Sequence, residues 1–85
     1  MQLTIELTMY PFQQDYLPPI KALIAQLNTH SDIQIQTFPT ATILTGEHSQ
    51  VMQALDQALR WSTKHTDRAV FIAKLLPNYQ ALPPT

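Results

Sequence analysis

The segment LTIELTMYPFQQDY, residues 3–16, carries the clearest structural pattern in the chain. Its first seven residues alternate between apolar and polar side chains, and successive side chains of a β-strand point to opposite faces. The pattern therefore predicts a strand with one apolar face, which needs helices over it, and one polar face that carries Glu6. We expect Tyr10-Pro11 to end this strand, because proline cannot donate a hydrogen bond to a neighbouring strand.

The rest of the sequence predicts two helices and three further strands, in the order helix, strand, strand, helix, strand. Apolar residues recur at helical spacing after Asp15 and again after Ser49, and we expect these two residues to cap the helices. Alternating and β-branched residues predict strands at 32–38 and 40–45, and a mostly apolar run predicts the last strand at 69–76. The six elements together indicate one small α+β domain.

Right-handed connections between elements in this order predict a ferredoxin-like βαββαβ sandwich, a four-stranded antiparallel sheet with two helices on one face. We expect the ferredoxin-like domain at residues 1–76 and an extended C-terminal tail at residues 77–85. Ile43 is expected to face the helices together with the apolar residues of the first strand. The open face is expected to carry Thr4, Glu6, Thr8, Gln34, Gln36, Phe38, Thr42 and Leu44, with Phe71 and Ala73 added if the last strand has that parity.

Two residues receive structural roles from their positions in this pattern. Tyr16 falls on the apolar stripe of the first helix, so we expect it in the core. Gly46 is the only glycine in the chain and follows the third strand. We expect a turn there, because glycine adopts backbone conformations that other residues avoid.

Composition excludes several classes of protein. The chain has 85 residues, and a domain of this size buries only about 60–65% of the surface of its unfolded chain, so self-association is expected to add stability. There is no cysteine, which is typical of a cytoplasmic protein, and no apolar segment approaches the roughly 20 residues of a membrane span. The net charge is −1 and the five basic residues are scattered, so we expect no nucleic-acid partner.

The most informative charged residue is Glu6, because glutamate is a poor strand former and places a carboxylate at the centre of the sheet. Neighbouring hydroxyl, amide and aromatic groups on the open face would give it the composition of a small-molecule site. The alternative interpretation is a solvated carboxylate on an exposed strand. The residues expected to accompany Glu6 in a ligand site are Thr8, Gln36, Phe38 and Thr42.

Two more candidate residues follow the first strand. Tyr10 has no evident structural role and offers an aromatic ring to a flat or cationic ligand, and Asp15 offers a negative charge. The alternative interpretation of Asp15 is the helix cap described above. Catalytic and metal-binding patterns are lacking: the chain has no cysteine, no glycine-rich loop, and three histidines without the spacing of metal ligands. We therefore expect neither an enzyme, nor a metal site, nor a bound cofactor.

Four short segments have a recognisable order and spacing: Met9-Tyr10-Pro11, Asp15-Tyr16, Thr40-Ala41-Thr42 and Gly46-Glu47. In these segments the sequence resembles the thiamine-binding YkoF-like family, and the resemblance spans Thr4 to Leu75. It implies a ferredoxin-like fold, binding of thiamine or its hydroxymethylpyrimidine moiety, and association into dimers or tetramers through the sheets. It also implies ligand-site positions at Tyr10, Asp15, Thr42 and Gly46. This chain departs from the family at Pro18-Pro19, in the first helix, and in its C-terminal end ALPPT, which replaces the extension of tandem members.

Two functional hypotheses follow. The first is a non-catalytic binding protein for thiamine or hydroxymethylpyrimidine, in which Glu6 or Gln36 pairs with the aminopyrimidine, and Tyr10 with Asp15 holds the thiazolium cation. The second is a structural or regulatory homo-oligomer whose open sheet face serves only subunit association.

Overall fold

The computed structural model describes residues 1–83, and it has the predicted order of elements. Pro84 and Thr85, the end of the predicted tail, lie outside the described residues. The strands form one sheet in the order β2-β3-β1-β4, and all three neighbouring pairs are antiparallel, which confirms the ferredoxin-like fold. The elements are β1 (Gln2–Pro11), α1 (Leu17–Leu27), β2 (Gln34–Thr37), β3 (Thr42–Glu47), α2 (His48–His65) and β4 (Ala69–Pro77).

The alternation in β1 places its side chains as predicted. The apolar residues of β1 are buried against the helices, and Glu6 lies on the open face. The strand is longer than expected, because Pro11 still pairs with Ala69 of β4 and the amide of Phe12 then donates to the carbonyl of Arg68 at 2.8 Å. The core formed on the covered face contains Leu3, Ile5, Leu7, Met9, Leu23, Leu27, Ile33, Leu44, Val51, Ala54 and Ala58.

The predicted parity of β3 is wrong. Residues directly opposite in an antiparallel pair point to the same face, and Leu44 lies opposite Ile5 whereas Ile43 lies opposite Glu6. Leu44 is therefore a core residue, fully buried, and Ile43 belongs to the open face. Thr42 also points toward the helices, because it lies opposite Leu7. The segment TATILT has threonine on both faces and two adjacent apolar residues, so its alternation fits either register.

In β4, the residues that face outward are not the ones considered in the sequence analysis, Phe71 and Ala73. Phe71 and Ala73 lie opposite Met9 and Leu7, so they pack toward the helices and add nothing to the open face. Val70 and Ile72 take that position instead, and both are exposed. The run AVFIAKLL is apolar at nearly every position, which leaves its parity undetermined by sequence.

Both helix caps differ from the predictions. The N-cap of α1 is Tyr16, without a side-chain hydrogen bond, so Asp15 is not the cap. Two prolines in the first turn remove amide donors that a cap would otherwise satisfy. Tyr16 is exposed, because the helical stripe starts only after it. In α2 the cap is Glu47 rather than Ser49: its carboxylate accepts the amides of Ser49 at 2.9 Å and Gln50 at 3.3 Å.

Gly46 has a packing role instead of the predicted turn. It lies within β3, and its φ angle is not positive. A Cβ atom at this position would lie 2.9 Å from Cγ2 of Ile33, which is closer than side chains tolerate. Glycine is therefore needed at this position, because it has no Cβ and leaves room for Ile33 in the segment that leads into β2.

The C-terminal tail folds back over one end of the open face. Asn78 has a positive φ of 58°, which turns the chain after β4, and its amide donates to the carbonyl of Gln2 at 2.8 Å. The hydroxyl of Thr4 donates to the carbonyl of Tyr79 at 2.7 Å and accepts the amide of Ala81 at 3.0 Å. The Oγ1 atoms of Thr4 and Thr45 are 3.0 Å apart, and both residues are buried beneath the tail.

Candidate functional site

The tail divides the open face of the sheet into two parts. One part, around Thr4 and Thr45, is covered. The other part remains open to solvent, and we call it the uncovered half. It comprises the alternate residues of β1 and the residues of β4 that lie opposite them: Glu6, Thr8 and Tyr10, with Lys74, Ile72 and Val70.

Glu6 lies in the uncovered half with a charged neighbour. Its Oε2 atom is 3.8 Å from Nζ of Lys74, the residue directly opposite on β4. Both side chains are substantially exposed, and exposed ion pairs of this kind contribute at most about 1 kcal/mol to stability. The carboxylate of Glu6 is therefore available to exchange Lys74 for a hydrogen-bond donor of a ligand.

Gln36 lies on the same face as Glu6, as predicted, but on the edge strand β2. Ile43 separates the two, because it lies opposite Glu6 on one side and Gln36 on the other. Strands are spaced by about 4.7–4.9 Å, so the backbones at Glu6 and Gln36 are roughly 9–10 Å apart. One aminopyrimidine edge can therefore pair with Glu6 or with Gln36, but not with both.

An exposed aromatic group follows the uncovered half. Tyr10, Phe12 and Tyr16 each have more than half of their surface exposed. Asp15 is exposed in the same loop, where its backbone carbonyl accepts a hydrogen bond from Nε2 of Gln13 at 2.6 Å. Since α1 does not use the Asp15 carboxylate as a cap, this charge is free to interact with a cation.

Two predicted site residues, Phe38 and Thr42, lie outside the uncovered half. Thr42 is buried on the helix side, with its Oγ1 atom 3.3 Å from that of Thr37, so the prediction that it joins Glu6 on the open face is wrong. Thr8, Phe38 and Thr42 together line a cavity of about 70 Å³ between α1 and the β2–β3 connection. This volume is far below the roughly 300 Å³ at which ligand pockets begin. The hydroxyl of Thr8 donates to the carbonyl of Thr40 at 3.1 Å.

Sequence reasoning missed two apolar residues of the uncovered half. Ile72 lies opposite Thr8 and is 57% exposed, and Val70 lies opposite Tyr10 and is 44% exposed. The only available signal was the strongly apolar character of β4, which does not say which residues face outward. Within residues 1–83 no group of three or more histidine, aspartate or glutamate side chains is arranged to hold a metal ion. In the same part of the chain, no helix is long and apolar enough to cross a membrane.

The architecture, a two-helix layer on a four-stranded sheet with an open face, defines a ferredoxin-like domain. The chain belongs to the YKOF-related family, whose family model matches residues 2–76. A search among curated protein sequences finds no significant match.

Solved structures support the same fold. A protein of Streptococcus pneumoniae superposes with a TM-score of 0.85 at 26% identity, over 93% of this chain and 89% of that one. A Thermotoga maritima protein with a suggested role in thiamine biosynthesis or salvage superposes with a TM-score of 0.81 at 18% identity, over 95% and 86% of the two chains. A hypothetical protein of Methanocaldococcus jannascii superposes with a TM-score of 0.77 at 19% identity, over 99% and 87%.

Proposed function

We propose that this protein binds thiamine or its hydroxymethylpyrimidine moiety at the uncovered half, without catalysing a reaction on it. The observation that carries the proposal is the position of Glu6, which presents a carboxylate on the open face beside Thr8 and Tyr10. Membership of the YKOF-related family and the suggested role of the Thermotoga maritima protein support the choice of ligand. The lack of cysteine supports a cytoplasmic location.

The chemistry of the uncovered half suits the two parts of thiamine. An aminopyrimidine presents an exocyclic amino group and a ring nitrogen, and a carboxylate forms strong hydrogen bonds with a protonated or amino-bearing ring edge. Glu6 supplies that carboxylate once Lys74 moves aside. The thiazolium ring carries a positive charge, which the face of Tyr10 attracts through its π electrons and the carboxylate of Asp15 through its charge.

A second subunit completes the site in this proposal. The uncovered half is an open surface, and the cavity beside Thr8 has a volume of only about 70 Å³. Burial of most of a ligand's surface needs a larger enclosed volume. Association of two copies through their open faces would supply the missing wall and also cover Val70 and Ile72. Dimers and tetramers both satisfy this requirement.

The exposed apolar residues also favour a second candidate function. Ile72 and Val70 are neighbours on one strand face, and adjacent exposed apolar side chains on a sheet are typical of association surfaces. In this alternative the protein is a structural or regulatory homo-oligomer, and its open face serves subunit contacts only. The two candidates differ in whether a small molecule binds.

Isothermal titration calorimetry and thermal unfolding with thiamine and with hydroxymethylpyrimidine separate the two candidates. A ligand at a hundredfold excess over its dissociation constant stabilises the folded protein by about 2.7 kcal/mol. We expect Glu6→Gln to weaken binding by roughly ten- to a hundredfold, since a charge-assisted hydrogen bond contributes about 1.5–3 kcal/mol. Asp56→Asn is the matched control, because Asp56 is an exposed carboxylate of α2, away from the sheet.

The outcomes are distinct. Binding by the parent that Glu6→Gln weakens and Asp56→Asn leaves unchanged supports the proposed site. Equal binding by all three proteins removes Glu6 from the site. Neither heat nor stabilisation at millimolar ligand rejects ligand binding and leaves the oligomer function.

A further inference from the structure

A larger cavity lies at the opposite end of the sheet from Tyr10. It has a volume of about 510 Å³, within the range of small-molecule pockets, and it is bordered by the start of β1, the end of β3 and the approach to β2. We call it the amide cavity, because four glutamine side chains line it. The lining residues are Gln2, Ser31, Asp32, Ile33, Gln34, Thr45, Gly46, Glu47, Gln50 and Gln80.

The folded-back tail builds one wall of this cavity. Gln80 lies between Tyr79 and Ala81, and both of these residues are hydrogen-bonded to the hydroxyl of Thr4. The position of Gln80 is thus held from both sides, although it is 46 residues beyond Gln34 in the sequence. Because these hydrogen bonds hold the backbone on both sides of Gln80, this wall of the cavity is part of the folded structure.

Gln34 has an unsatisfied hydrogen-bond acceptor. Its Oε1 atom is buried and has no hydrogen-bond partner among the described residues. Gln34 lines the amide cavity and also the adjoining groove of about 410 Å³ under Leu82 and Pro83. A buried polar atom without a partner is unfavourable, so a rotation of the Gln34 side chain that brings Oε1 to an N–H donor of a ligand in the cavity would remove that penalty.

The side-chain charges of the lining favour cations. Asp32 and Glu47 are the two ionisable side chains among the described residues that line the cavity, and none of those residues is lysine or arginine. The hydrogen bond from the side chain of Ser49 lowers the pKa of Glu47, and so does the positive charge of the N-terminus, with which a bound cation would share this carboxylate. This carboxylate also caps α2, which removes the usual attraction of a helix N-terminus for anions.

We propose that the amide cavity is a second binding site, which takes a small organic cation with several N–H donors, such as an alkyl diamine or a guanidino compound. The ammonium or guanidinium group lies near the carboxylates of Asp32 and Glu47, and one N–H group donates to Oε1 of Gln34. The cavity lining contains no aromatic residue, so it offers no stacking surface for a flat ring. The site is therefore distinct in place and in chemistry from the proposed thiamine site.

Titration of ¹⁵N-labelled protein with agmatine, which carries an ammonium and a guanidinium group, tests the proposal. We expect amide shifts centred on Gln34, Gly46 and Gln80, with the amide of Tyr10 unmoved. Gln34→Met keeps the length of the side chain and removes the acceptor, so the apparent dissociation constant should rise about tenfold. The matched control is Gln57→Met, because Gln57 is an exposed glutamine of α2 and does not line the amide cavity.

Glutarate, a dianion of similar length, is the charge control and should leave the cavity amides unmoved. Should Gln34→Met fail to fold, Asp32→Asn replaces it, since Asp32 is exposed and tolerates substitution. The proposal is overturned if agmatine does not shift the cavity amides, or if its shifts spread evenly over exposed carboxylates and persist unchanged in Gln34→Met. Thiamine binding is measured at the amides of Tyr10 and Ile72, and agmatine binding at the amides of the cavity. Either proposal can therefore fail without the other.

Discussion

Thr4 and Tyr10 lie on the same face of the same strand, yet Thr4 is 1% exposed and Tyr10 is 52% exposed. The difference comes from the tail: Tyr79 and Ala81 are hydrogen-bonded to Thr4, and no hydrogen bond joins the described residues of the tail to the side chain of Tyr10. The alternation of a strand therefore determines which face a side chain occupies, but segments distant in sequence determine whether that face is free. On the open face, the uncovered half is therefore the part that remains for the proposed binding of thiamine or of a second subunit.

The largest expected effect concerns association through the uncovered half. Ile72→Asp would place an unpaired charge in the subunit contact, at a cost of roughly 3–5 kcal/mol, which weakens association by a hundredfold or more. We expect the parent to be at least a dimer at micromolar concentration and this variant to be a monomer, as measured by light scattering. Leu59→Asp is the control, because Leu59 is similarly accessible but lies on α2. A parent that is itself monomeric would contradict the subunit contact.

Removal of the tail tests the covered half. Truncation after Pro77 deletes three hydrogen bonds, those of Asn78 to Gln2 and of Tyr79 and Ala81 to Thr4. At about 0.5–1.5 kcal/mol each, their loss should lower the free energy of unfolding by about 1.5–4.5 kcal/mol in urea titrations. Truncation after Leu82 keeps all three bonds and should have little effect. Equal stability of the two truncated proteins would show that the tail does not stabilise the sheet.

The fold was predictable from sequence, because periodicity and order fix the six elements and the side of Glu6. The register of β3 was not, since Ile43 and Leu44 are adjacent and both apolar, and only packing against α2 and β1 selects Leu44 for the core. The parity of β4 was ambiguous in the same way, so the sequence did not indicate that Ile72 faces outward. The tail contacts were also beyond prediction, because all three hydrogen bonds use backbone groups of the tail, which nearly every residue type offers.

The candidate site was predictable in part. Glu6, Thr8 and Gln36 share the open face as expected from alternation, and Tyr10, which was expected after the strand, lies within β1 on the same face. Thr42 does not, because its position depended on the register of β3. Its hydroxyl instead lies near that of Thr37, inside the hairpin.

A matched pair of substitutions compares the two halves directly. Thr4→Val removes a buried hydroxyl with three hydrogen-bonding neighbours, and we expect a loss of about 1–3 kcal/mol in the free energy of unfolding. Thr8→Val removes one exposed hydrogen bond to Thr40, and the loss should stay below about 1 kcal/mol. Chemical denaturation of both variants measures the difference. Similar losses in the two variants would mean that the contacts with the tail do not stabilise the covered half.

The smallest effect is expected at Glu47, which lies beside the covered half and caps α2. The hydrogen bond from the Ser49 side chain lowers its pKa below the usual 4.5. A lowered pKa contributes stability that is present above pH 4.5 and is lost as the pH falls through the lowered value. Glu47→Gln should therefore melt slightly earlier than the parent at neutral pH and lose less stability on acidification. Melting curves between about pH 3 and pH 7 measure this, with Asp56→Asn as the control.

A titration of ¹⁵N-labelled protein with thiamine, followed residue by residue, tests the central claim most directly. The account predicts amide shifts that centre on Thr8, Tyr10 and Ile72, and no shifts at Thr4 and Thr45 under the tail. Shifts that centre on the covered half, or no shifts at millimolar thiamine and hydroxymethylpyrimidine, would contradict it.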